Sequence, residues 1–358
     1  MNSEDFFESI SQQYKRKLPF VAYRKRNVNT IKAILQQDFE LYISKDFKEN
    51  GFVFAPFDDK DNTVLIPLEK SELISIENAI SELFVIPSKA DKPLGSAQLI
   101  SSKDNKQDHI NLLQKGLEAI DSNQFQKVVL SRQETVSNSE TNPISIFKNL
   151  LNIYLSAFVY IWYHPKVGLW LGATPETLLK IEENRFSTMA LAGTQQYNGT
   201  FDVEWNNKEK EEQQIVTDYI VNSINGIVND LKISEVETIR AGSLLHLQTK
   251  ISGTLKTEAI NFKRLLRKLH PTPAVCGLPK ETAKAFILNN ESCDREFYTG
   301  FLGELNTNHS ELFVNLRCMQ LKNNKAILYV GGGITKDSIP ENEWNETLNK
   351  AKIIKRVL

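Results

Sequence analysis

The sequence predicts an α+β protein in which large, mostly antiparallel β-sheets are flanked by helices. Two observations support this fold class. Strand-like segments, either continuously apolar or alternating in polarity, occur along most of the chain, and long helical patterns separate them at irregular intervals. A doubly wound α/β fold would instead show a steady alternation of one strand and one helix. The irregular order therefore favours antiparallel sheets.

The first hundred residues carry a mixed pattern. FKENGFVFAPF and NTVLIPLE predict short strands around turns, and SIENAISELFVIPS, from residue 75, starts as a helical pattern that Pro87 interrupts. Residues 101–108, SSKDNKQD, are polar and predict a linker. We therefore expect an N-terminal α/β portion, residues 1–105, that packs on the core of a second domain formed by residues 106–358.

Beyond this segment the pattern becomes more regular. An amphipathic helix is predicted for Ile110–Ser122, and a long helix for Val203–Asp230, where apolar residues recur at helical spacing. A last helix, Ser338–Leu358, opens with Ser-Ile-Pro-Glu, a pattern typical of a capping box with proline in the first turn. Strands are predicted for the segment that starts at Lys127 and for Leu169–Leu171, Phe186–Leu191, His246–Leu255, Leu312–Met319 and Ile327–Val330.

The composition excludes several classes of protein. The 358 residues include 43 Lys and Arg and 44 Asp and Glu, a net charge of −1, so nothing favours nucleic acid or an anionic membrane as a partner. The N-terminus lacks the apolar core of a signal peptide, and the most apolar stretches are too short to span a bilayer. Three widely spaced cysteines and five histidines form no disulfide framework or zinc-binding spacing. We expect a protein of the reducing cytoplasm.

The strand QKVVLSR, residues 126–132, begins with a lysine in front of three apolar residues. Lys127 shares one face of this strand with Val129 and Ser131. Its side chain is therefore directed either to solvent or into a cleft where it takes part in chemistry. The first arrangement is the more common one, because lysines are rarely buried. The strand pattern alone leaves both alternatives open.

The long helix carries a glutamate on its apolar side. Glu212 precedes Ile215 by three residues, so it stands on the same stripe as the side chains predicted to be buried. Its neighbours in KEKEEQQ, residues 208–214, have the pattern of ordinary surface charges. Glu212 either ends the apolar stripe at a solvated helix start, where the helix dipole favours acids, or is a functional carboxylate.

The last helix places two further glutamates on one side. Glu343 and Glu346 are three residues apart, and Lys350 follows Glu346 by four. One interpretation is a surface pair of Glu and Lys. The other is a divalent-metal site that also includes Glu212, because Mg²⁺ is held by one or two carboxylates together with water and substrate oxygens.

A triple glycine, Gly331–Gly333, follows an apolar strand in YVGGGIT. Glycines at this position let the backbone approach a ligand closely. The spacing matches neither a dinucleotide-binding nor a phosphate-binding loop, and a tight turn explains it as well.

Nine segments of the second domain occur in the order of a known family. They are KVVLSR (127–132), GATPETLL (172–179), MALAGT (189–194), LHLQTKISG (245–253), LHPTPAVCGLPK (269–280), REFYTGFLGE (295–304), FVNLRC (313–318), YVGGGI (329–334) and ENEWNET (341–347). This series resembles the chorismate-utilising enzymes, which include isochorismate, salicylate, anthranilate and aminodeoxychorismate synthases. The resemblance covers the chain from about residue 110 to the end. It implies the fold of anthranilate synthase component I, and it makes residues 106–358 the catalytic domain that binds chorismate.

Within this family the sequence is most similar to isochorismate synthases. LHPTPAVCG resembles their form of this segment. Members that use water carry a lysine at the position of Lys127, whereas members that use ammonia generally lack it. Aminodeoxychorismate synthases can carry a nucleophilic lysine where this chain has Ala192. The resemblance therefore implies an isomerase that forms isochorismate for menaquinone or siderophore biosynthesis.

The same resemblance implies a role for individual residues. Lys127 would be the general base that activates water for attack at C2 of chorismate, and Glu176 the general acid that protonates the leaving C4 hydroxyl. Glu212 and Glu346 match ligands of Mg²⁺, with Glu343 bound directly or through water. Substrate-binding positions are implied for Arg317 and Tyr298, at the enolpyruvyl carboxylate, and for Gly193, Thr194, His246, Ala274, Gly331, Gly332 and Lys350.

Two departures from the family leave alternatives open. Many relatives have Glu-His where this chain has Glu212-Gln213, so Glu211 competes with Glu212 as the ligand. The N-terminal region is short, and the tryptophan-binding motif of anthranilate synthases is not evident there. A salicylate synthase, an aminating subunit with a glutaminase partner, and a non-catalytic chorismate-binding paralogue are the competing functions. Because Lys127 argues against amination, we expect no obligatory glutaminase subunit, and the resemblance implies a monomer, since family members of this type often are.

Overall fold

The computed structural model describes residues 1–58, 60, 62–77, 104–137, 142–242, 244–256, 262–306 and 308–358. The described helices are α1 Ser3–Lys15, α2 Asp104–Asp121, α3 Pro143–Ile153, α4 Asn207–Ile224, α5 Phe262–Leu269, α6 Lys280–Asn290 and α7 Pro340–Lys355. The described strands are β1 Phe20–Arg24, β2 Ile31–Gln36, β3 Tyr42–Ile43, β4 Gly51–Ala55, β5 Val64–Pro67, β6 Ser71–Ile76, β7 Lys127–Ser137, β8 Phe158–His164, β9 Gly168–Thr174, β10 Thr177–Glu182, β11 Arg185–Gln196, β12 Val228–Ile233, β13 Glu237–Ala241, β14 Leu244–Leu255, β15 Gly277–Leu278, β16 Phe301–Leu305, β17 His309–Val314, β18 Cys318–Lys322 and β19 Lys325–Ile334.

These strands form two large sheets. In sheet A the order is β15-β7-β19-β18-β9-β8-β1-β2-β6. In sheet B it is β12-β14-β11-β10-β17-β16-β4-β5-β3, and β13 also pairs with β14. Every pairing between the described strands is antiparallel. The predicted α+β class with antiparallel sheets is therefore confirmed.

An aromatic core joins the two sheets face to face. Phe158 of β8 stacks on Phe313 of β17 with ring centroids 4.2 Å apart, and Phe54 of β4 contacts Trp162 of β8 edge-on at 5.1 Å. Rings of this size bury much apolar surface and prefer such stacked and edge-on arrangements. Helices α1 and α3 cover the other face of sheet A, and α4 and α5 cover that of sheet B. The packed layers hold the strand ends that surround the candidate active site.

Two of the places where the chain crosses between the sheets are neighbours. The chain leaves sheet A after β9, passes through Pro175 and Glu176, and enters sheet B at β10; it returns between β17 and β18 through residues 315–317. The backbones of the two crossings are joined, because Val314 N donates to Glu176 O at 3.0 Å and Ala173 N donates to Arg317 O at 3.1 Å. The prediction of one strand over Leu312–Met319 was wrong. Arg317, with φ of 49°, redirects the chain to the other sheet.

The predicted long helix is also shorter than expected. Helix α4 spans Asn207–Ile224 instead of Val203–Asp230, and Val228–Ile233 forms β12 against β14. The helix ends at Asn225, and Gly226 follows with φ of +83°, a left-handed conformation that glycine adopts readily. Helical spacing continued past this glycine in the sequence, but pairing with β14 determined the structure.

Two local predictions need correction. The expected linker, 101–108, is helical from Asp104 onward, and its first three residues lie outside the described part of the chain. In the last helix the expected capping box is absent: Ile339 precedes α7 without a side-chain cap, and Ser338 Oγ accepts from Thr335 N instead. The helical pattern predicted from residue 75 begins inside strand β6, Ser71–Ile76, which corrects its start, and its part from residue 78 to Pro87 lies outside the described residues.

The N-terminal residues contribute strands to both sheets. Strand β1 pairs with β8 in sheet A, and β4 pairs with β16 in sheet B. The division into residues 1–105 and 106–358 stays a prediction. Among the described helices, none is long and apolar enough to cross a membrane.

Candidate active site

A cavity lies where the two crossings, β11, β19, α4 and α7 meet. Nine predicted substrate-binding residues line it, together with one predicted acid and two predicted metal ligands. These are Gly193, Thr194, His246, Ala274, Tyr298, Arg317, Gly331, Gly332 and Lys350, then Glu176, and Glu212 and Glu346. Segments that are distant in the sequence thus meet at one site. Lys127 and Glu343 lie behind its wall and contact the lining residues.

Glu176 is a buried carboxyl group at the first crossing. Only 3% of the residue is exposed, and burial raises the pKa of its side chain to about 8, although the positive charge of Lys127 opposes this shift. The carboxyl group is therefore protonated at neutral pH. A neutral carboxylic acid that faces a cavity can donate its proton to a leaving group.

Lys127, the first residue of β7, is fully buried. Its Nζ lies 2.9 Å from Glu212 Oε1 of α4, in an ion pair without the angles of a directed hydrogen bond. Of the two alternatives left open by the strand pattern, the solvent-facing one is wrong. The side chain points toward the cleft but stops behind Glu212, which separates it from the cavity.

Three glutamates approach one another from α4 and α7, and each contacts a lysine. Besides the Lys127–Glu212 pair, Lys350 Nζ lies 2.7 Å from Glu346 Oε1. Lys208 Nζ lies 2.5 Å from Glu343 Oε1. The lysines outweigh the effect of burial on Glu212 and hold its pKa below the usual value. Burial and the neighbouring charge of Glu346 raise the pKa of Glu343.

Lys208 is the residue that sequence reasoning missed. The segment 208–214 had the pattern of a solvated surface, but Lys208 reaches the acidic cluster. Burial lowers its pKa, yet the carboxylates of Glu343, Glu346 and Glu212 raise it by more. The available signal was its position four residues before Glu212, on the same side of the helix. The competing ligand Glu211 is exposed to solvent, whereas Gln213 is buried and donates to Thr249 Oγ1.

The triple glycine lies inside β19 and forms no turn, so the turn interpretation was wrong. Gly331–Gly333 pair with residues 129–131 of β7 in regular register. A Cβ on Gly333 would stand 2.5 Å from Glu212 Oε1 and 3.1 Å from Lys127 Cε. A side chain at position 333 would therefore displace the Glu212 carboxylate and with it the ion pair.

The donor set suits a hard divalent cation. Carboxylate oxygens are the protein ligands that Mg²⁺ prefers, and Glu212, Glu343 and Glu346 supply them from two helices. A Cβ on Gly332 would lie 3.6 Å from Glu343 Oε2 and 4.0 Å from Glu346 Oε1, so this bare backbone leaves room beside both carboxylates. Among the described residues, no three acidic, histidine or cysteine side chains already stand close enough together to hold an ion. Each of the three carboxylates contacts an ammonium group instead.

Arg317, which is partly buried, and His246, which is buried, form a hydrogen-bonded unit that also lines the cavity. Arg317 Nη1 donates to Ala241 O at 3.0 Å, and Nη2 donates to His246 Nε2 at 2.9 Å. His246 Nδ1 therefore carries the proton and donates to Gly193 O at 2.8 Å. Burial and the charge of Arg317 lower the pKa of His246 to about 3, so the imidazole is neutral. Arg317 keeps its charge, since burial lowers its pKa only to about 10.

Comparisons with known proteins identify the relatives of this chain. The model of a family described as chorismate binding enzyme matches residues 64–358. The isochorismate synthase MenF of Escherichia coli (strain K12) is 28% identical over 281 residues, which cover 75% of this chain and 64% of that protein. Anthranilate synthase component 1 of Lactococcus lactis subsp. lactis (strain IL1403) is 28% identical over 341 residues, 89% of this chain and 72% of that protein.

A solved structure extends the similarity to nearly the whole fold. The Bacillus anthracis protein described as a 2,3-dihydroxybenzoate-specific isochorismate synthase, DhbC, superposes with a TM-score of 0.81 at 21% identity, covering 98% of this chain and 99% of that one. At this identity the likeness concerns the fold alone. The chain spans less than two thirds of the length of MenF. Because the family model covers most of the sequence, the chain belongs to the family of chorismate-binding enzymes.

Proposed function

We propose that this protein is an isochorismate synthase, an isomerase that converts chorismate to isochorismate with Mg²⁺ as cofactor. The observation that carries the proposal is the position of Glu176 in the cavity wall, with Lys127 directly behind that wall. A buried, protonated carboxyl group faces the space, and the lysine that water-using relatives carry lies close enough for its charge to act on that group. The proposal combines a proton donor and a proton acceptor within one site.

Binding of chorismate is assigned to the polar residues around the cavity. Chorismate carries two carboxylates, and Arg317 faces the space with a charged guanidinium group whose planar fork suits a carboxylate. Tyr298 lines the same wall, and burial raises the pKa of its phenol, so the hydroxyl remains a donor. Gly193, Thr194 and the glycines of β19 supply further backbone and hydroxyl groups at the wall.

The reaction exchanges one hydroxyl group for another. Lys127, released from its pair with Glu212 and in its neutral amine form, accepts a proton from water as the water oxygen forms a bond to C2 of the ring. The ring double bonds shift, the bond from C4 to its oxygen breaks, and Glu176 donates the proton that lets this oxygen leave as water. One water enters and one leaves, so the product is an isomer of the substrate. Acid and base groups in such roles each contribute about 10²- to 10⁴-fold in rate.

Mg²⁺ is assigned to the three glutamates of the acidic cluster. Glu212 and Glu346 would hold it, with Glu343 as a direct or water-mediated ligand. Bound there, the ion would neutralise the ring carboxylate and fix the ring in place. Lys350 contacts Glu346 and donates to Gly331 O at 3.0 Å, so it ties α7 to β19 beside this cluster.

The experiment that tests the proposal is incubation of the purified chain with chorismate, with and without Mg²⁺, followed by chromatography of the products. Magnesium-dependent isochorismate without salicylate or pyruvate is expected. Salicylate and pyruvate would assign the chain to the salicylate synthases, which use the same residues. Anthranilate or aminodeoxychorismate formed when ammonia is added would indicate an aminating enzyme. If none of these products forms, the chain is a chorismate-binding paralogue without activity.

The oligomeric state, the cellular location and the partners of the protein are part of the same proposal. We infer a monomer that acts in the cytoplasm without a glutaminase subunit, since an enzyme that uses water needs no source of ammonia. Size-exclusion chromatography with light scattering measures the oligomeric state. Full activity of the purified chain alone is expected.

A further inference from the structure

Lys208 links the two helices that carry the acidic cluster. It lies in the first turn of α4, and its Nζ contacts Glu343 Oε1 of α7, a residue 135 positions away in the sequence. The carboxylate is buried, with 2% of its side chain exposed, whereas 29% of the Lys208 side chain is exposed. The ammonium group therefore enters the cluster from the solvent side.

The three lysines of the cluster differ in how firmly they are held. Lys127 has no exposed surface, and Lys350 contacts Gly331 O in addition to Glu346. Within the described part of the chain, the side chain of Lys208 has a single hydrogen-bond partner, Glu343. It can leave for solvent by breaking one contact, whereas the other two would lose burial or a second bond.

The charges of the cluster make one cation redundant once a metal is present. Three carboxylates and three ammonium groups together carry no net charge. A divalent ion added beside Glu343 would stand within reach of the Lys208 ammonium, and like charges at such distances repel each other strongly. Lys208 is the cation that can move away at least cost, because its side chain already reaches solvent.

We propose that Lys208 is a substitute cation, which neutralises Glu343 when the site is free of metal and moves into solvent when Mg²⁺ binds. The inference rests on the metal site of the proposed function. Lys208 then has two effects: it stabilises the metal-free protein, and it weakens the binding of Mg²⁺, because the Lys208–Glu343 pair must first be broken. If Lys208 only joins α4 to α7, its removal would loosen the site and weaken the binding of Mg²⁺.

The first test is calorimetric titration of Mg²⁺ into the wild-type protein and three variants. Lys208→Gln removes the charge, Lys208→Arg retains it, and Lys210→Gln removes an exposed charge from the same helix as a matched control. We expect Lys208→Gln to bind Mg²⁺ about fivefold more tightly or better, the factor for an ion pair of roughly 1 kcal/mol that need not be broken. Lys208→Arg and Lys210→Gln should match the wild type. Unchanged or weaker binding by Lys208→Gln overturns the proposal.

Thermal denaturation gives a second readout that does not depend on activity. Without metal, Lys208→Gln should melt below the wild type, because Glu343 is left buried beside Glu346 without a cation. With saturating Mg²⁺ the variant should gain more in melting temperature than the wild type does. Equal gains in the two proteins contradict the proposal.

Lysine labelling keeps the proposal testable if Lys208→Gln does not fold. Wild-type protein is acetylated briefly with and without saturating Mg²⁺, and mass spectrometry follows Lys208 and Lys210. Labelling of Lys208 should increase with Mg²⁺, while that of Lys210 stays constant. Unchanged or reduced labelling of Lys208 overturns the proposal. Absence of Mg²⁺ binding to the wild type, with or without chorismate, would instead contradict the metal site itself.

Discussion

Nζ of Lys127 lies 2.9 Å from Oε1 of Glu212, so the first residue of β7 is joined to the second turn of α4 inside the protein. The proposed base and a proposed metal ligand are therefore each other's nearest charge. Separation of this pair would leave both side chains without their charge partner and would expose the carboxylate of Glu212 to other cations.

Replacement of Lys127 by glutamine should abolish most of the activity. We expect turnover at saturating chorismate to fall by about 10²- to 10⁴-fold, because the proton acceptor for water is lost. Product formation is measured by chromatography, and circular dichroism checks the fold. Lys115→Gln, an exposed lysine on α2, is the matched control and should retain wild-type turnover. Wild-type turnover by Lys127→Gln would show that another group activates water.

The rate should depend on pH through Glu176. The pKa of this carboxyl group is raised to about 8, so the acid is protonated below that pH and loses its proton above it. Wild-type turnover should therefore decline as the pH rises through 8. Glu176→Gln should be slower by about 10²-fold or more, and its residual rate should lack this decline. A decline of the same shape in the variant would assign it to a different group.

The raised pKa of Glu176 should also make the stability of the protein depend on pH. Between the ordinary pKa of a glutamate and 8, the unfolded chain loses the proton of Glu176 and the folded chain keeps it. The folded state then binds more protons, so the free energy of unfolding decreases as pH rises. The Glu176→Gln variant has no carboxyl group that titrates at this position, so it lacks this decrease in the free energy of unfolding. Its melting temperature relative to wild type should rise between pH 5 and about 8 and level off above. A constant difference across this range would contradict the raised pKa.

Two neighbouring glycines of β19 offer a matched comparison. Gly333→Ala places a methyl group 2.5 Å from Glu212 Oε1, so the Lys127–Glu212 pair must shift. Gly332→Ala meets its nearest atom, Glu343 Oε2, at 3.6 Å, an ordinary contact. We expect Gly333→Ala to lose at least tenfold in activity, the order of loss for a displaced catalytic group, and Gly332→Ala to lose much less. Equal losses would show that activity depends on the absence of any side chain along this part of β19, and not on the space that the Lys127–Glu212 pair occupies beside Gly333.

His246 should act on binding through Arg317. It accepts from Arg317 Nη2 and is neutral, so it fixes the guanidinium group that is proposed to hold a substrate carboxylate. His246→Phe removes this acceptor and should raise KM about tenfold with a smaller change in kcat, whereas His246→Gln, which retains an acceptor, should restore part of the affinity. A loss confined to kcat would indicate that the imidazole acts on the reacting ring.

The sequence predicted the parts of this molecule that depend on local pattern or on family motifs. The antiparallel α+β class followed from irregular strand and helix order, and the motif positions all came to lie in or directly behind one cavity. Interactions between distant segments were not predictable in the same way. Lys208 lies in a run of charges typical of a solvated surface, and only the packing of α4 beside α7 brings it to Glu343.

The errors in the predicted ends of one strand and one helix have a similar cause. Leu312–Met319 has the composition of a single strand, but residues 315–317 carry the chain from one sheet to the other. The pattern after Ile224 remained helical, but the left-handed turn at Gly226 and the available edge of β14 produced a strand. In both places a tertiary contact outweighed a local preference.

The two backbone bonds between the crossings have a consequence for how this architecture can change. Val314 N to Glu176 O and Ala173 N to Arg317 O tie the proposed proton donor and the arginine proposed to bind a carboxylate to one backbone frame. Insertions or substitutions in α4, α7 or the segment 270–276 can reshape the remaining walls without altering the spacing within this frame. A family built in this way can diversify its products by remodelling one side of the cleft while inheriting the other side unchanged.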